Sequence, residues 1–291
     1  MVQAPQIIVK DNALINAAYR LDLTEQRLIL MSTVRAREDG QGITPDKPLV
    51  VRAEDYAEQF KVTRQAAYMA LKEATTGLFE RQFTYEQLTK RGNREVVKSR
   101  WVSQVSYIDT EGAVSIVFAP SVVPLITRLE KEFTRYDLEQ VSGLTSTYAV
   151  RLYELLISWR RTGKTPEIEL AEFRLRLGVA DDEYVRMHHF KSKVLDMAIR
   201  QVNEHTDIVA SYEQHKRGRT ITGFSFTFTL KNPNRDPNTI DLLTGTTDNE
   251  RAKPKRQRIT RQQAEGMAKP GESWPQLVKR LSTEFFITDL I

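Results

Sequence analysis

The stretch SYEQHKRGRTITGFSF, residues 211–226, has the pattern of a β-hairpin with a basic turn. Gly218 allows the unusual backbone angles of a tight turn, and apolar residues alternate with polar ones on the returning strand. Three cations, Lys216, Arg217 and Arg219, stand at the predicted tip. A cluster of this kind indicates an acidic partner, although charges also keep hairpin tips soluble.

The elements before this hairpin complete a recognisable order. A strand is predicted at Glu167–Leu170, a short helix at Ala171–Leu177 and a longer helix from about Arg186 to Glu204. Strand, helix, helix and hairpin is the order of a winged helix-turn-helix, in which the second helix is the recognition helix and the hairpin is the wing. Any α+β domain can show this order, so one copy alone is weak evidence. Three alternating residues predict the buried face of the wing: Phe224, Phe226 and Phe228.

The same order stands earlier in the chain. The strand Pro48–Val51 precedes helix patterns at Ala53–Phe60 and Thr63–Phe79, with Thr63 as the predicted N-cap. Strand patterns follow at Gln82–Leu88, Val96–Tyr107 and Ala113–Phe118. Overlaying the two copies puts Tyr56, Phe60 and Val62 on Phe173, Leu177 and Val179, and puts Leu71, Ala74 and Leu78 on Leu195, Ala198 and Val202.

The duplication predicts an α+β protein with two tandem winged-helix domains and a flexible C-terminal tail. The predicted domains are residues 1–130 and 131–231, followed by a tail at 232–291. The tail begins as a linker rich in Asn, Thr, Pro and Asp. Six basic residues and no acidic one stand at 251–261, and Trp274–Leu290 has the pattern of a short amphipathic helix.

Composition limits the classes of function. The chain has 291 residues, 40% of them hydrophobic, a net charge of +5 and no cysteine. It therefore has neither disulfides nor thiol chemistry, and we expect a cytoplasmic location. No apolar run is long enough for a signal peptide or a membrane span.

No pattern of an enzyme stands out. The four histidines form neither H-E-x-x-H nor H-x-H, and the chain has neither a phosphate-binding glycine loop nor a nucleophile elbow. Tyr148 and Tyr153 lie on apolar helix faces and are predicted to be core residues. We expect no catalytic residue, no metal and no cofactor.

The outward face of each second helix and the adjacent hairpin tips provide candidate contacts with DNA. Long polar side chains on the leading half of a helix can reach base edges in the major groove, and cations at a wing can hold phosphates. In the first copy these residues are Arg64, Gln65, Tyr68 and Lys72 on the helix, with Met69 also facing outward, and Lys90, Arg91 and Arg94 at the first hairpin tip. In the second copy they are Arg186, His189, Lys193 and Arg200, beside Ser192 and Asp196, together with the wing cations.

The chain also resembles a known family. The strings are IVKDNALINAAYRLDLTEQRLIL (8–30), SRWVSQVSYID (99–109), VFAPSVVPLITRLEKEFTRYDLEQVSGLTSTYAVRLYELLISWRRTGK (117–164) and VNEHTDIVASYEQHKRGRTITGFSF (202–226). They resemble the iteron-binding replication initiator (Rep) proteins of theta-replicating bacterial plasmids, of the Acinetobacter-type and bovine-milk-associated circular replicons. The resemblance covers roughly residues 7–230 and leaves out the tail.

The resemblance implies two winged-helix domains that bind double-stranded DNA at repeated origin sequences. It implies melting of nearby DNA, recruitment of host replication proteins such as helicase, and repression of the protein's own gene by a homodimer joined through the first domain. The second domain is expected to make the stronger sequence-specific contact, through Arg186, His189, Lys191, Lys193 and the wing. Leu21–Arg37, in a helix with Thr24 as predicted N-cap, is the candidate dimer interface.

Three alternatives stay open from the sequence. A transcriptional repressor of the same fold would bind DNA without opening an origin. A rolling-circle nicking enzyme would need a metal-binding histidine pair and a nucleophilic tyrosine. An adaptor for host factors would work through the tail.

Overall fold

A computed structural model describes residues 6–127, 133–232, 257–260 and 285–288. The chain forms two compact units, Met1–Pro237 and Asn238–Ile291. The elements up to the first winged helix are β1 (Ile7–Asp11), α1 (Asn12–Ile15), β2 (Ala18–Tyr19), α2 (Leu23–Asp39), β3 (Leu49–Arg52), α3 (Ala53–Phe60), α4 (Arg64–Leu78), β4 (Gln82–Leu88), β5 (Arg94–Arg100), β6 (Val102–Ile108) and β7 (Ala113–Phe118).

The remaining elements contain one irregular helix. Its two α-helical parts, α9 and α10, flank a π-helical turn. In chain order these elements are α5 (Val123–Thr127), β8 (Phe133–Asp137), α6 (Glu139–Ser142), α7 (Thr147–Ile157), β9 (Ile168–Glu169), α8 (Leu170–Leu177), α9 (Met187–Phe190), the π turn (Lys191–Leu195), α10 (Asp196–His205), β10 (Ile208–Arg217), β11 (Thr220–Leu230), β12 (Gln257–Thr260) and β13 (Phe285–Thr288).

Two tandem winged helices are confirmed. In the first, the antiparallel sheet has the order β3-β7-β6 and packs against α3 and α4. In the second, the sheet has the order β10-β11-β9 and packs against α8 and α10. Each sheet therefore places the strand that precedes the two helices beside the last strand of the wing.

The predicted equivalence of the two cores is confirmed except at one pair, where Val62 is half-buried and Val179 is buried. Tyr56 and Phe60 are buried in the first copy, and Phe173 and Leu177 are buried at the matching positions of the second. The inward faces of the second helices are buried too: Leu71, Ala74 and Leu78 in α4, and Leu195, Ala198 and Val202 in the second copy. Thr63 caps α4, because its hydroxyl accepts a hydrogen bond from the backbone N–H of Ala66 at 3.2 Å.

One hairpin has no counterpart in the second copy. β4 and β5 form a separate sheet in the order β2-β4-β5, between α4 and the β6–β7 hairpin. The predicted strand Val96–Tyr107 is therefore two strands, separated at the fully buried Trp101. By its pairing with β3, the β6–β7 hairpin is the wing of the first domain, so the prediction that Lys90, Arg91 and Arg94 form this wing is wrong.

Helix α2 lies inside the first domain. Its N-cap is Asp22, which forms a capping box with Glu25, rather than the predicted Thr24. Side chains on every face are buried from Glu25 to Val34. Residues 25–34 of this helix therefore offer no surface to a second copy in this conformation, whereas Asp22 and Arg37 are exposed, and the Leu21–Arg37 dimer interface stays a prediction.

A buried polar cluster joins the start of the chain to α7. Lys10 Nζ lies 2.6 Å from Glu154 Oε1, which also accepts a hydrogen bond from the Tyr136 hydroxyl at 2.6 Å. Arg151 Nη1 lies 3.1 Å from Glu154 Oε2. Burial alone would raise the pKa of Glu154, but the charges of Lys10 and Arg151, together with the hydrogen bonds from Lys10 and Tyr136, outweigh it and hold this pKa below its usual value. Burial lowers the pKa of Lys10 more than the charge of Glu154 raises it.

Arg151 also donates hydrogen bonds to three backbone carbonyls on two segments of the chain. Its Nη2 donates to the carbonyl oxygens of Ile15 at 3.0 Å and Ala17 at 2.9 Å, and its Nε donates to that of Arg176 at 2.9 Å. Ile15 and Ala17 precede the first winged helix, whereas Arg176 lies in α8 of the second. In addition β8 pairs with β1, so strands from both sides of residue 130 share one sheet. The predicted domain limits stay predictions.

The tail is described only at two strands. β12 and β13 pair in parallel, from Gln257 with Phe285 to Thr260 with Thr288. The predicted helix at Trp274–Leu290 is therefore wrong at residues 285–288, and its other residues lie outside those described, as does the predicted linker beyond residue 232. Within the described ranges, no helix is long and apolar enough to cross a membrane.

Candidate nucleic-acid interface

The recognition helix of the second domain exposes all the outward residues that the sequence predicts. These are Arg186, His189, Ser192, Lys193, Asp196 and Arg200. The π turn inserts an extra residue into one helical turn, which brings both Val194 and Leu195 onto the buried side. Beyond it, α10 buries Ala198 and Val202. The polar face therefore stays continuous from α9 into α10.

The second wing presents its cations freely. Lys216, Arg217 and Arg219 are exposed, and among the described residues none of them forms an ion pair. Gly218 has the positive φ of 64° that the turn requires, and no other part of the described structure lies within 4 Å of the place a Cβ would take. An unpaired, exposed basic tip is suited to contacts with phosphate.

Three side-chain contacts fix this wing to the recognition helix. Lys191 Nζ lies 3.2 Å from Gln214 Oε1 and 5.6 Å from the centre of the Tyr212 ring. The Tyr212 hydroxyl donates a hydrogen bond to Asp196 Oδ1 at 2.7 Å. Burial and this hydrogen bond raise the pKa of Tyr212. Lys191 thus connects helix and wing, and its predicted contact with DNA stays a prediction.

The first recognition helix differs in charge. Arg64, Gln65, Tyr68, Met69 and Lys72 are exposed, as predicted. However, Arg64 Nη1 lies 3.2 Å from Glu54 Oε1, and Lys72 Nζ lies 2.8 Å from Asp109 Oδ1. Tyr68 lies against the turn of the first wing, where a Cβ on Gly112 would meet its ring at 1.9 Å. Two cations of this helix are therefore partly neutralised.

The wing of the first domain is acidic at its tip. Its turn contains Asp109 and Glu111, and Glu111 Oε2 lies 3.1 Å from Arg52 Nη1. The basic tip lies instead on the β4–β5 hairpin, where Lys90 and Arg91 are exposed. Arg94 pairs with Glu86, with Arg94 Nε 2.7 Å from Glu86 Oε2.

Sequence reasoning missed the acidic wing for an identifiable reason. Three strand patterns follow α4, and periodicity shows that each is a strand without showing which of them pair. The available signal was the second copy, whose wing follows the recognition helix with no intervening hairpin.

Within the described ranges, no group of acidic, histidine or cysteine side chains is arranged to hold a metal ion.

Comparison with known proteins adds evidence that geometry alone does not provide. A family model described as Initiator Replication protein, WH1, matches residues 7–157, and one described as Initiator Rep protein, WH2, matches residues 169–228. An uncharacterized 27.6 kDa protein of Escherichia coli is 26% identical over 222 residues, which are 74% of this chain and 92% of that protein. A replication initiation protein of Escherichia coli is 25% identical over 218 residues, 73% of this chain and 66% of that protein.

A solved structure is similar to this chain over most of its length. It is the Pi initiator protein in complex with iteron DNA, which is 25% identical to this chain. The match covers 79% of this chain and 99% of the other, with a TM-score of 0.63.

Proposed function

Because the chain belongs to the family of initiator replication proteins, we propose that it binds direct repeats, or iterons, in the origin of a plasmid and starts replication there. The observation that carries this proposal is the second domain. It presents an exposed polar recognition helix beside an exposed, unpaired basic wing. The structural match to an initiator that was solved with iteron DNA supports the same function.

The second domain supplies the main sequence-specific contact in this proposal. Arg186, His189, Lys193 and Arg200 face the major groove, where arginine and lysine suit guanine. The wing cations hold the phosphate backbone and fix the register of the helix. The proposed contacts of the first domain are Arg64, Gln65, Tyr68 and Lys72 on α4, and Lys90, Arg91 and Arg94 on the inserted hairpin.

The same proposal includes opening of the origin, recruitment of host proteins such as helicase, and repression of the protein's own gene. None of these roles requires this chain to catalyse a reaction. The cytoplasm is its proposed location.

A homodimer through the first domain has one candidate surface. β5 is the edge strand of its sheet, and two apolar side chains on one face of that hairpin are exposed, Leu88 by 73% and Val96 by 62%. An open edge strand with apolar neighbours is a template for pairing with a second chain.

A footprint on the origin of the chain's own plasmid tests the proposal. We expect protection to recur over direct repeats beside an AT-rich stretch, with binding that weakens steeply as salt rises. A variant with Lys216, Arg217 and Arg219 replaced by alanine should lose most of this protection. Protection of a single inverted repeat at the promoter would identify a repressor instead. No protection at low salt would reject DNA binding itself.

A further inference from the structure

The outward side of α4 carries an exposed methionine. Met69 lies on the side of the helix opposite to the buried Ala67, Leu71 and Ala74, and its side chain is 65% exposed. Gln65 lies one helical turn earlier on the same outward side and is exposed as well. A large apolar side chain in the middle of this recognition helix therefore faces away from the core of the domain.

The charges around Met69 are compensated. Arg64 pairs with Glu54, and Lys72 pairs with Asp109. The first wing carries a second carboxylate, Glu111, which pairs with Arg52. Gln65 and Met69 are therefore neutral side chains on a helix face whose neighbouring positive charges are largely balanced by carboxylates. Neutral side chains of this kind suit contacts with base edges, whereas contacts with phosphate require free positive charge.

We propose that Met69 and Gln65 read an A·T base pair in the major groove, with Met69 against the methyl group of thymine. Thymine is the base that presents a methyl group in this groove, where apolar side chains contact it. The amide of glutamine complements N6 and N7 of adenine. Residues four positions apart on a helix are neighbours, so both can reach the same or adjacent base pairs. The proposal rests on the proposed function and adds a base preference to the first domain.

Replacing thymine by uracil tests the assignment directly, because it removes the methyl group and leaves base pairing unchanged. The repeat identified by footprinting is divided into the half bound by the first domain and the half bound by the second. The affinity of the full chain is then measured for repeats in which the thymines of one half at a time are replaced by uracil. We expect about fourfold weaker binding when the half under the first domain is replaced, the size given by the ~0.8 kcal/mol of one buried methyl group. Replacement in the other half has no effect that depends on Met69.

Two variants connect the effect to Met69. Met69→Ala should bind the thymine and uracil repeats equally, and it should fold normally because the side chain is exposed and alanine favours helix. Leu175→Ala, an equally conservative change at a 56% exposed apolar residue of α8, should keep the wild-type preference. Circular dichroism confirms that both variants are folded.

The outcomes separate this inference from the proposed function. Binding of the repeat without a thymine preference, or a preference that Met69→Ala retains, overturns the role of Met69 and leaves the initiator function standing. In that case the exposed methionine becomes a candidate contact for a protein. Failure of the wild-type chain to bind any origin repeat overturns both.

Discussion

Lys72 on the recognition helix of the first domain and Asp109 at the tip of its wing form an ion pair, with Nζ and Oδ1 2.8 Å apart. The hydrogen bond from Lys72 to Asp109 raises the pKa of the lysine, so the lysine stays charged. The ammonium also lies 5.5 Å from the centre of the Tyr107 ring. A phosphate that approaches Lys72 must therefore compete with a carboxylate that belongs to the protein.

Asp109→Asn should strengthen binding to all DNA several-fold, because it frees Lys72 and removes a negative charge near the phosphate backbone of the bound DNA. If Lys72 gains one phosphate contact, the slope of log K against log salt should steepen by about 0.9. Binding titrations across a salt series measure both quantities. Glu204→Gln, which removes one exposed charge at the far end of α10, is the control. Equal slopes for the wild type and Asp109→Asn would show that Lys72 does not hold a phosphate.

Arg217→Ala should weaken binding to specific and random DNA alike and make the salt slope shallower by about 0.9. The reason is that an exposed cation at the wing tip contacts phosphate without reading sequence. The same titrations on two DNAs measure this, with Lys47→Ala in a loop of the first domain as the control. An unchanged slope would contradict the wing assignment.

Lys193→Ala should reduce discrimination between the iteron and random DNA by about 1–3 kcal/mol, if the lysine reads a base. Lys193 is exposed on the π turn, and it makes no ion pair with any residue that the structure describes. Competition binding gives the ratio of the two affinities. A loss of the same size on both DNAs would instead identify a phosphate contact.

Glu154→Gln should lower the free energy of unfolding by about 3–5 kcal/mol, since it leaves Lys10 and Arg151 buried without their counter-ion. Glu172→Gln, which breaks the solvent-accessible pair with Arg176, should cost less than about 1 kcal/mol. Chemical denaturation measures both variants. Similar losses would show that the buried cluster adds little to stability.

The same carboxylate predicts a dependence on pH. Because the folded protein holds the pKa of Glu154 below its usual value of 4.5, the stability it contributes is present above that value. This contribution is lost as the pH falls from about 4.5 through the lower folded pKa. Unfolding measured between neutral pH and this range should show the decline, and Glu154→Gln should flatten it. Parallel curves for the two proteins would exclude Glu154 as the source.

Val96→Lys should shift a dimer toward monomer, because it puts a charge on the exposed face of the β4–β5 hairpin at the open edge. Sedimentation velocity over a range of concentrations measures the shift. Leu175→Lys, at an exposed site on α8, should leave the association unchanged. If both variants associate like the wild type, the dimer uses another surface.

Local patterns predicted most of the fold. The buried residues of α4 and α10 follow from apolar spacing along one helix, and the turn at Gly218 follows from its residue type. The pairing of β7 with β3 rather than with the strands of the inserted hairpin depends on contacts distant in sequence, which periodicity does not reveal. The same holds for the ion pair between Lys72 and Asp109, and for the π turn, whose hydrogen-bond register has no sequence signature.

The hydrogen bonds of Arg151 have a consequence for the spacing of the DNA sites. One buried guanidinium fastens Ile15 and Ala17 to Arg176, so the segment before the first winged helix and the second winged helix are held by the same side chain. Such a connection fixes the distance between the two DNA segments that the domains are proposed to bind. One base pair inserted between the two half-sites would turn one of them by about a tenth of a helical turn relative to the other. In the origin repeats, the spacer between the two half-sites should therefore tolerate base substitutions far better than insertions or deletions.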